Sequence, residues 1–592
     1  MSAADLVVTG ARVRASRGTW HTAVAVRRGV VSGFDDDALE QVGPRTRVIQ
    51  APGGLVAAGF VDAHAHPVQA GLDLSRVWLH DAFGLDAYLG VIDAYARSHP
   101  DEQWIVGGGW AMECFPGGAP RAVDLDRVTG ERPAFLFNRD VHGAWVNTAA
   151  LRAGGITRDT PDPGDGRIER DPDGTPTGTL HEGAAYSFLE TVVPPPTPGQ
   201  VQAGVLAGQD HLHALGVTSW QDAAVLGHHQ DAYQALAGDG RLVSRVAGAL
   251  WWDRHRGCEQ IEDLLDRREH ARAAQAGATA AGVAGFHAET VKIMVDGVLE
   301  NGTAALLHPY LTPHHHDHHH DHHHDHHHDG DDHGASGTGP GTGLQYVPAD
   351  VLAEAMTRLD ALGFQVHLHT IGDRAVRDAL DAIEAAARIN GRTGVRRHHL
   401  AHIQVVHPDD VARFARLGVV ANCQAFWAKH DPQMDALTLP VLGEERAGWQ
   451  YPFASIHRAG ARLAMGSDWP VTTANPLPQI EVAVTRVPPG DRDTPPLHPH
   501  ERLPVETALD AFTAGSAYVN HDPHGGVLRV GGRADLVVLD TDILTLTPTP
   551  TGGQVGVADA TVVLAVVAGQ VVHDRLPDGF QGPGVDVAGG AR

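Results

Sequence analysis

The stretch GLVAAGFVDAHAHP, Gly54–Pro67, decides how this chain folds. Small and apolar residues lead up to His64-Ala65-His66, and Pro67 ends the run. Strand residues two apart point the same way, so both imidazoles face one side. Proline cannot donate to a central ladder, which puts the pair at the strand's C-terminal end. A lone histidine there would read as packing; two, at this spacing, read as metal ligands.

Outward from that strand, apolar runs alternate with helices rich in Ala, Leu and Arg. PAFLFN (133–138) precedes NTAALRAGG, FQVHLHTIG (364–372) precedes RAVRDALDAIEAAARI, and LGVVANCQ (417–424) precedes a further segment. Such alternation implies parallel strands joined by crossover helices. The fold class expected is α/β, a (β/α)₈ TIM-like barrel over 57–502 with insertions. Barrel active sites lie at the C-terminal ends of the strands, where His64 and His66 fall.

The chain ends read differently. LVVTGARVR and TAVAVRRGVVSGF near the start, and GVLRVGGRADLVVLD (526–540) and TVVLAVVAGQVVHD (561–574) near the end, alternate as antiparallel strands do. We expect 1–56 and 503–592 to build one small composite β-sandwich domain, the second segment also supplying the last barrel helix.

Composition narrows the function classes. At 592 residues and 42% hydrophobic, the chain can bury a large core. The formal charge is −27, and only six units of it come from Asp317–Asp332. A spread negative surface argues against nucleic acid and anionic membranes. No apolar run reaches bilayer length, and the N-terminus lacks a secretory pattern. Cys114, Cys258 and Cys423 are far apart and form no CxxC, so neither disulfides nor a thiolate zinc site is expected, and a cytoplasmic location is.

Several stretches, in order, resemble one family. GFVDAHAHP, VKIMVDGVLENGTAALLHPY, VHLHTIGDRAV, HHLAHIQVVHPDD, GSDWPVTTANPL and GGRADLVVLD resemble the metal-dependent amidohydrolase superfamily. With GGGWAMECFPGG, DVHGAWVNTAALRAGGI and GRIERDPDGTPTGTL they resemble its YtcJ-like (amidohydrolase 3) branch over nearly the full length. The resemblance implies metal ligands His64, His66, Lys292, His369, His402 and Asp468. It places Lys292 where many members carry a lysine carboxylated by CO₂. It picks His402 in a slot usually preceded by an acidic residue, which here is Ala401. Asp468 also carries the catalytic role, taking a proton from activated water and passing it to a leaving amine. The donor set suits a divalent metal, Zn²⁺ first, as one or two ions. Trp110 and His142 fall in segments that line the substrate pocket in the family, with structural packing the equal alternative for each.

Other residues are assigned lesser roles. His367 shares a strand face with His369 and is expected to orient or pack. His398 and His399 are expected near their strand's start, away from the mouth, and His407 at a helix start. Glu182 and Asp373 orient ligands or cap helices. His211 and His213 sit on a helix, where i and i+2 point apart, and are set aside.

HHHDHHHDHHHDHHHDGDDH, His314–His333, holds 13 of the 41 histidines. With the Gly-rich run after it, 314–343 reads as a low-complexity disordered loop. Its internal position argues against a cloned tag, and its repetitiveness against catalysis. A neutral expansion is the first reading, a weak metal collector the second.

The function expected is hydrolysis of non-peptide C–N bonds, of amide or N-substituted formamide type, by metal-activated water. The rival enzymes are a deaminase or a cyclic-amide hydrolase using the same site. The rival of another class is a metal-storage protein acting through the His tract. The partner expected is a small-molecule substrate, and association into a homodimer is left open.

Overall fold

The structure, a computed structural model, describes residues 2–278, 285–311, 341–391, 394, 396–491, 493–546, 556–577 and 580. The His-rich tract therefore lies outside the described residues. Eight strands carry the site. They are β1 (Phe60–Ala65), β2 (Val217–Val225), β3 (Arg245–Trp251), β4 (Gly285–Met294), β5 (Gln365–Thr370), β6 (His399–His402), β7 (Val420–Cys423) and β8 (Leu463–Met465). All pair in parallel and in chain order.

This is a nearly closed TIM-like barrel, and its seam is made just beyond β8. The Asp468 N–H donates to the His64 carbonyl at 2.7 Å, and the His66 N–H to that of Trp469 at 2.8 Å. Glycine at 466 permits the approach, since a Cβ there would lie 2.5 Å from that of His64. The Asp62 Oδ1 accepts the N–H of both His64 (2.9 Å) and Ser467 (3.0 Å), tying the two edges together.

Between β1 and β2 the chain builds a separate six-stranded sheet spanning Val77–Glu182. The strand–helix alternation led PAFLFN to be read as a barrel strand; it belongs to this sheet instead. Ile105–Trp110 and Ala134–Asn138 are parallel neighbours joined through the helix Ala122–Thr129. Such a unit has the same local pattern inside a barrel or outside one, so alternation cannot tell them apart.

The two chain ends meet. Leu55–Ala58 pairs with Leu6–Ser16 on one side and antiparallel with Leu536–Leu539 on the other, within one eight-stranded sheet. Val8, Val24 and Val56 share a core with Val538 and Val566. No helix among the described residues is long and apolar enough to cross a membrane.

Candidate metal centre

The seam places the site. β1 delivers His64 and His66, after which Pro67 opens the helix Pro67–Asp73. Asp468 follows β8. Its Oδ1 lies 3.1 Å from Nε2 of His64 and 3.1 Å from Nε2 of His66, and its Oδ2 lies 3.9 Å from Nδ1 of His402. The His402 ring, at the end of β6, is 4.5 Å between centroids from that of His369 on β5. His402 (φ 72°) and Asp468 (φ 55°) both adopt the left-handed backbone region. Strain of that kind gathers at functional sites and persists only where neighbours hold it. Here the Gln424 side chain accepts the His402 N–H at 2.7 Å.

Ligand atoms of His64, His402 and Asp468, all buried, lie within 4.8 Å of one another. Nε2 of His64 and Nδ1 of His402 are buried with no hydrogen-bond partner. His64 comes close to Asp468, but not in line to donate to it. Orphaned buried nitrogens around a carboxylate are a cost unless something accepts their lone pairs, and a cation fits that need.

The ionisation states agree. Burial, with Lys292 nearby, pushes His64 down to about 3, leaving a neutral ring able to ligate. Burial pushes His369 and His402 well down too. Burial alone would raise Asp468, but the imidazole nitrogens of His64, His66 and His402 turned toward it hold the carboxyl well below its usual range, with Nε2 of His66, at 3.1 Å, the one in line to donate. Lys292 lies on β4 in register with His367, one layer below Met294 and His369. Burial pushes its ammonium down to about 7 against the pull of Asp468.

The family model described as the amidohydrolase family matches residues 47–573. The chain belongs to the amidohydrolase family. It is a hydrolase acting on carbon–nitrogen bonds other than peptide bonds. The protein YtcJ of Bacillus subtilis (strain 168) is 28% identical, covering 93% of this chain and 96% of its own. The N-substituted formamide deformylase of Arthrobacter pascens is 27% identical, covering 91% and 94%. A solved uncharacterized metal-dependent hydrolase from Pyrococcus horikoshii OT3 superposes with a TM-score of 0.67 at 22% identity, over 91% of this chain and 98% of that one, a likeness of fold.

The remaining residues of this amidohydrolase sort out by contact. His142, from the inserted sheet, reaches the site: its ring centroid is 5.7 Å from that of His369. Its Nδ1 lies 2.8 Å from Glu182, which also accepts from Thr303 at 2.7 Å. Burial pushes His142 down, but Glu182 more than reverses this and raises the imidazole to about 9. Trp110, expected in the pocket, is corrected: it is buried in the core of the inserted sheet against Phe115 and Trp145, its indole N–H on the Leu136 carbonyl at 2.9 Å. Its place within an apolar strand made packing the natural outcome. A cavity of about 570 Å³ opens over the barrel mouth instead, lined by Trp78, Asp140, Glu300, Trp427, Tyr451 and Trp469 among others. Trp427 stacks on His402, with centroids 5.1 Å apart. His211, set aside as a ligand, lines this cavity and stacks on Trp469 at 4.6 Å.

Asp373 heads the helix Asp373–Asn390 and accepts the Leu307 N–H at 2.9 Å. His407 caps Pro408–Leu417. His398 is structural, between the Val366 N–H (3.0 Å) and Asp360 (3.2 Å). His399 does begin β6, but it is not remote: its ring lies against His367, with centroids 4.1 Å apart. Asp296 was missed altogether. Its Oδ1 is 3.2 Å from His369 Nδ1, and the same-face alternation Lys292, Met294, Asp296 was the signal for it.

Proposed function

We propose that this amidohydrolase cleaves small amides, N-substituted formamides foremost, with a divalent cation, Zn²⁺ first, held by His64, His66, Lys292, His369, His402 and Asp468. The observation that carries this is the convergence of the unpartnered nitrogens of His64 and His402 on Asp468 beneath the cavity. A divalent ion held by these residues would acidify a water and polarise the scissile carbonyl. Asp468, held as a carboxylate, accepts the water's proton and returns it to the departing amine nitrogen. His142, raised to about 9 and facing His369 from the inserted sheet, brings positive charge to the edge of the centre, where it would favour a developing oxyanion. The Trp427 and Trp469 rings line the cavity and give a substrate apolar surface to pack on. Lys292, at about 7, has a substantial neutral fraction at neutral pH, the form that adds CO₂, which supports its carboxylation. The similarity to an N-substituted formamide deformylase supports the substrate class. We place the enzyme in the cytoplasm on its three free cysteines.

The test is a hydrolysis screen across formamides, linear amides and lactams, with Asp468→Asn as control. The expected result is turnover of an N-substituted formamide or small amide, reduced ~10²–10⁴-fold in kcat in the variant. No turnover of any C–N substrate by the metal-loaded protein, or an undiminished Asp468→Asn, sinks the reading.

A further inference from the structure

Two of the metal-centre imidazoles are held from behind in different ways. His369 has a carboxylate: its Nδ1 lies 3.2 Å from Asp296, which itself accepts the N–H groups of Ala305 (3.0 Å), Ile371 (3.0 Å) and Gly372 (2.8 Å). A carboxylate in that position fixes the tautomer and aim of a ligating ring. His64 has no carboxylate on its Nδ1. That nitrogen lies 3.0 Å from Nε2 of His367, the rings meeting edge to face. Behind His367 comes His399, whose Nδ1 lies 3.2 Å from the Asn422 Nδ2. The same amide nitrogen donates to the Ala63 carbonyl at 2.8 Å, which fixes it as a donor and His399 Nδ1 as its acceptor. The file His64–His367–His399 is fully buried.

We propose that His367 is a positioning residue that replaces the carboxylate, accepting the Nδ1–H of His64 and so aiming the Nε2 lone pair of His64 at the metal centre. This rests on the reading that His64 ligates through Nε2. Of two neutral imidazole nitrogens 3.0 Å apart, one donates and the other accepts. With the lone pair of His64 on Nε2, its proton sits on Nδ1, so Nε2 of His367 is the acceptor. The proton of His367 is then on its own Nδ1, which is buried without a partner, as is Nε2 of His399.

Packing does not explain these two orphans. A leucine would fill the same space, and an unsatisfied buried N–H is a standing cost. A neutral acceptor also suits this interior better than a carboxylate would. Asp468 already stands at the ring's far nitrogen, and Asp62 contacts the His64 backbone. A third buried carboxylate would add like charge where water cannot screen it.

The test is Zn²⁺ affinity of the full-length chain, read by competition against a chelating indicator so that only tight sites count. His367→Leu is expected to weaken the tight site ~10–100-fold, the usual effect of losing such a partner. His367→Gln, whose amide oxygen reaches the place of Nε2, restores affinity to within a few fold of wild type. His367→Asn, polar but too short to reach, behaves as the leucine variant and carries the comparison should that variant not fold. Co²⁺-loaded samples supply a second readout: the absorption spectrum at saturation stays that of wild type in His367→Gln, because the ligands are the same. Unchanged affinity in His367→Leu and His367→Asn overturns the proposal, as does equal loss in the glutamine variant. Absence of any tight Zn²⁺ in the wild type overturns the metal-centre reading and this proposal with it.

Discussion

At the scale of single residues, the pair His142–Glu182 shows how burial and charge compete. Both are enclosed, and each alone would be driven toward its neutral form. Together they stay ionised: His142 rises to about 9 from 6.5, and Glu182, despite burial, falls to about 2 from 4.5 through His142, Thr303 and Tyr346. The histidine's raised value means its contribution to stability is complete below 6.5 and lost as pH rises through about 9. The glutamate's lowered value means its contribution is complete above 4.5 and lost as pH falls through about 2. The two windows overlap between 4.5 and 6.5. Glu182→Gln should therefore cost most there, ~3–5 kcal/mol, because His142 then either stays charged without its partner or gives up a proton it would hold in the unfolded chain. The deficit should shrink toward pH 9, where His142 is losing its proton in the wild type as well. Urea unfolding at pH 5.5 and at pH 9 measures both values, and a deficit that does not change with pH means the imidazole is uncharged in the folded protein.

At the scale of elements, the barrel depends on a seam that is only a few residues long. Gly466→Ala would place a Cβ 2.5 Å from that of His64 and 2.6 Å from its backbone nitrogen, so the edge after β8 must move away from β1. Overpacking of this kind costs ~1–3 kcal/mol. The larger effect should fall on activity, because the same shift carries Asp468 away from His64. Gly90→Ala is the matched control. It lies within the helix Leu85–Ser98 with open space around it, and should gain ~0.5–1 kcal/mol with activity intact. Thermal unfolding and kcat measured on both variants separate the seam from a general sensitivity to side-chain bulk. The same seam explains what could be read beforehand. β1, β5 and β8 were legible because each is a short apolar or alternating run that ends in a polar residue followed by a strand-stopping turn, at His66-Pro67, Thr370-Ile371-Gly372 and Asp468-Trp469-Pro470. The inserted sheet was not, since its pattern is local while its membership is decided by tertiary pairing. His399 stands at the start of its strand, as expected, but its neighbour on the adjacent strand could not be read from the sequence. A narrow barrel brings the first residue of one strand against the middle of the next.

At the scale of the whole molecule, two separations along the chain are closed in space. The composite sheet joins the termini through Leu55–Ala58 and Leu536–Leu539, and its signal in the sequence was the period-two alternation of both chain ends. The second closure is at the His-rich segment. The N–H of Tyr310 donates to the carbonyl of Gly341 at 2.8 Å, so the described residues on either side of that segment already touch. Removing His314–His333 leaves nine residues, 312–313 and 334–340, to join two points that are adjacent, and the cost of closing a loop changes only slowly with its length. The fold and the metal centre should therefore be indifferent to the deletion. Metal analysis after dialysis against a weak chelator should find about one or two tight ions per chain in both proteins, as a hydrolytic centre requires. The full-length chain alone should take up further, weakly held Zn²⁺ through its tract. Stripping the tight ions should lower the stability of both proteins alike, by ~2.7 kcal/mol where free metal had been a hundred times its Kd. If the tight ions leave with the tract, binding belongs to the repeat, and His64, His402 and Asp468 have no cation to share.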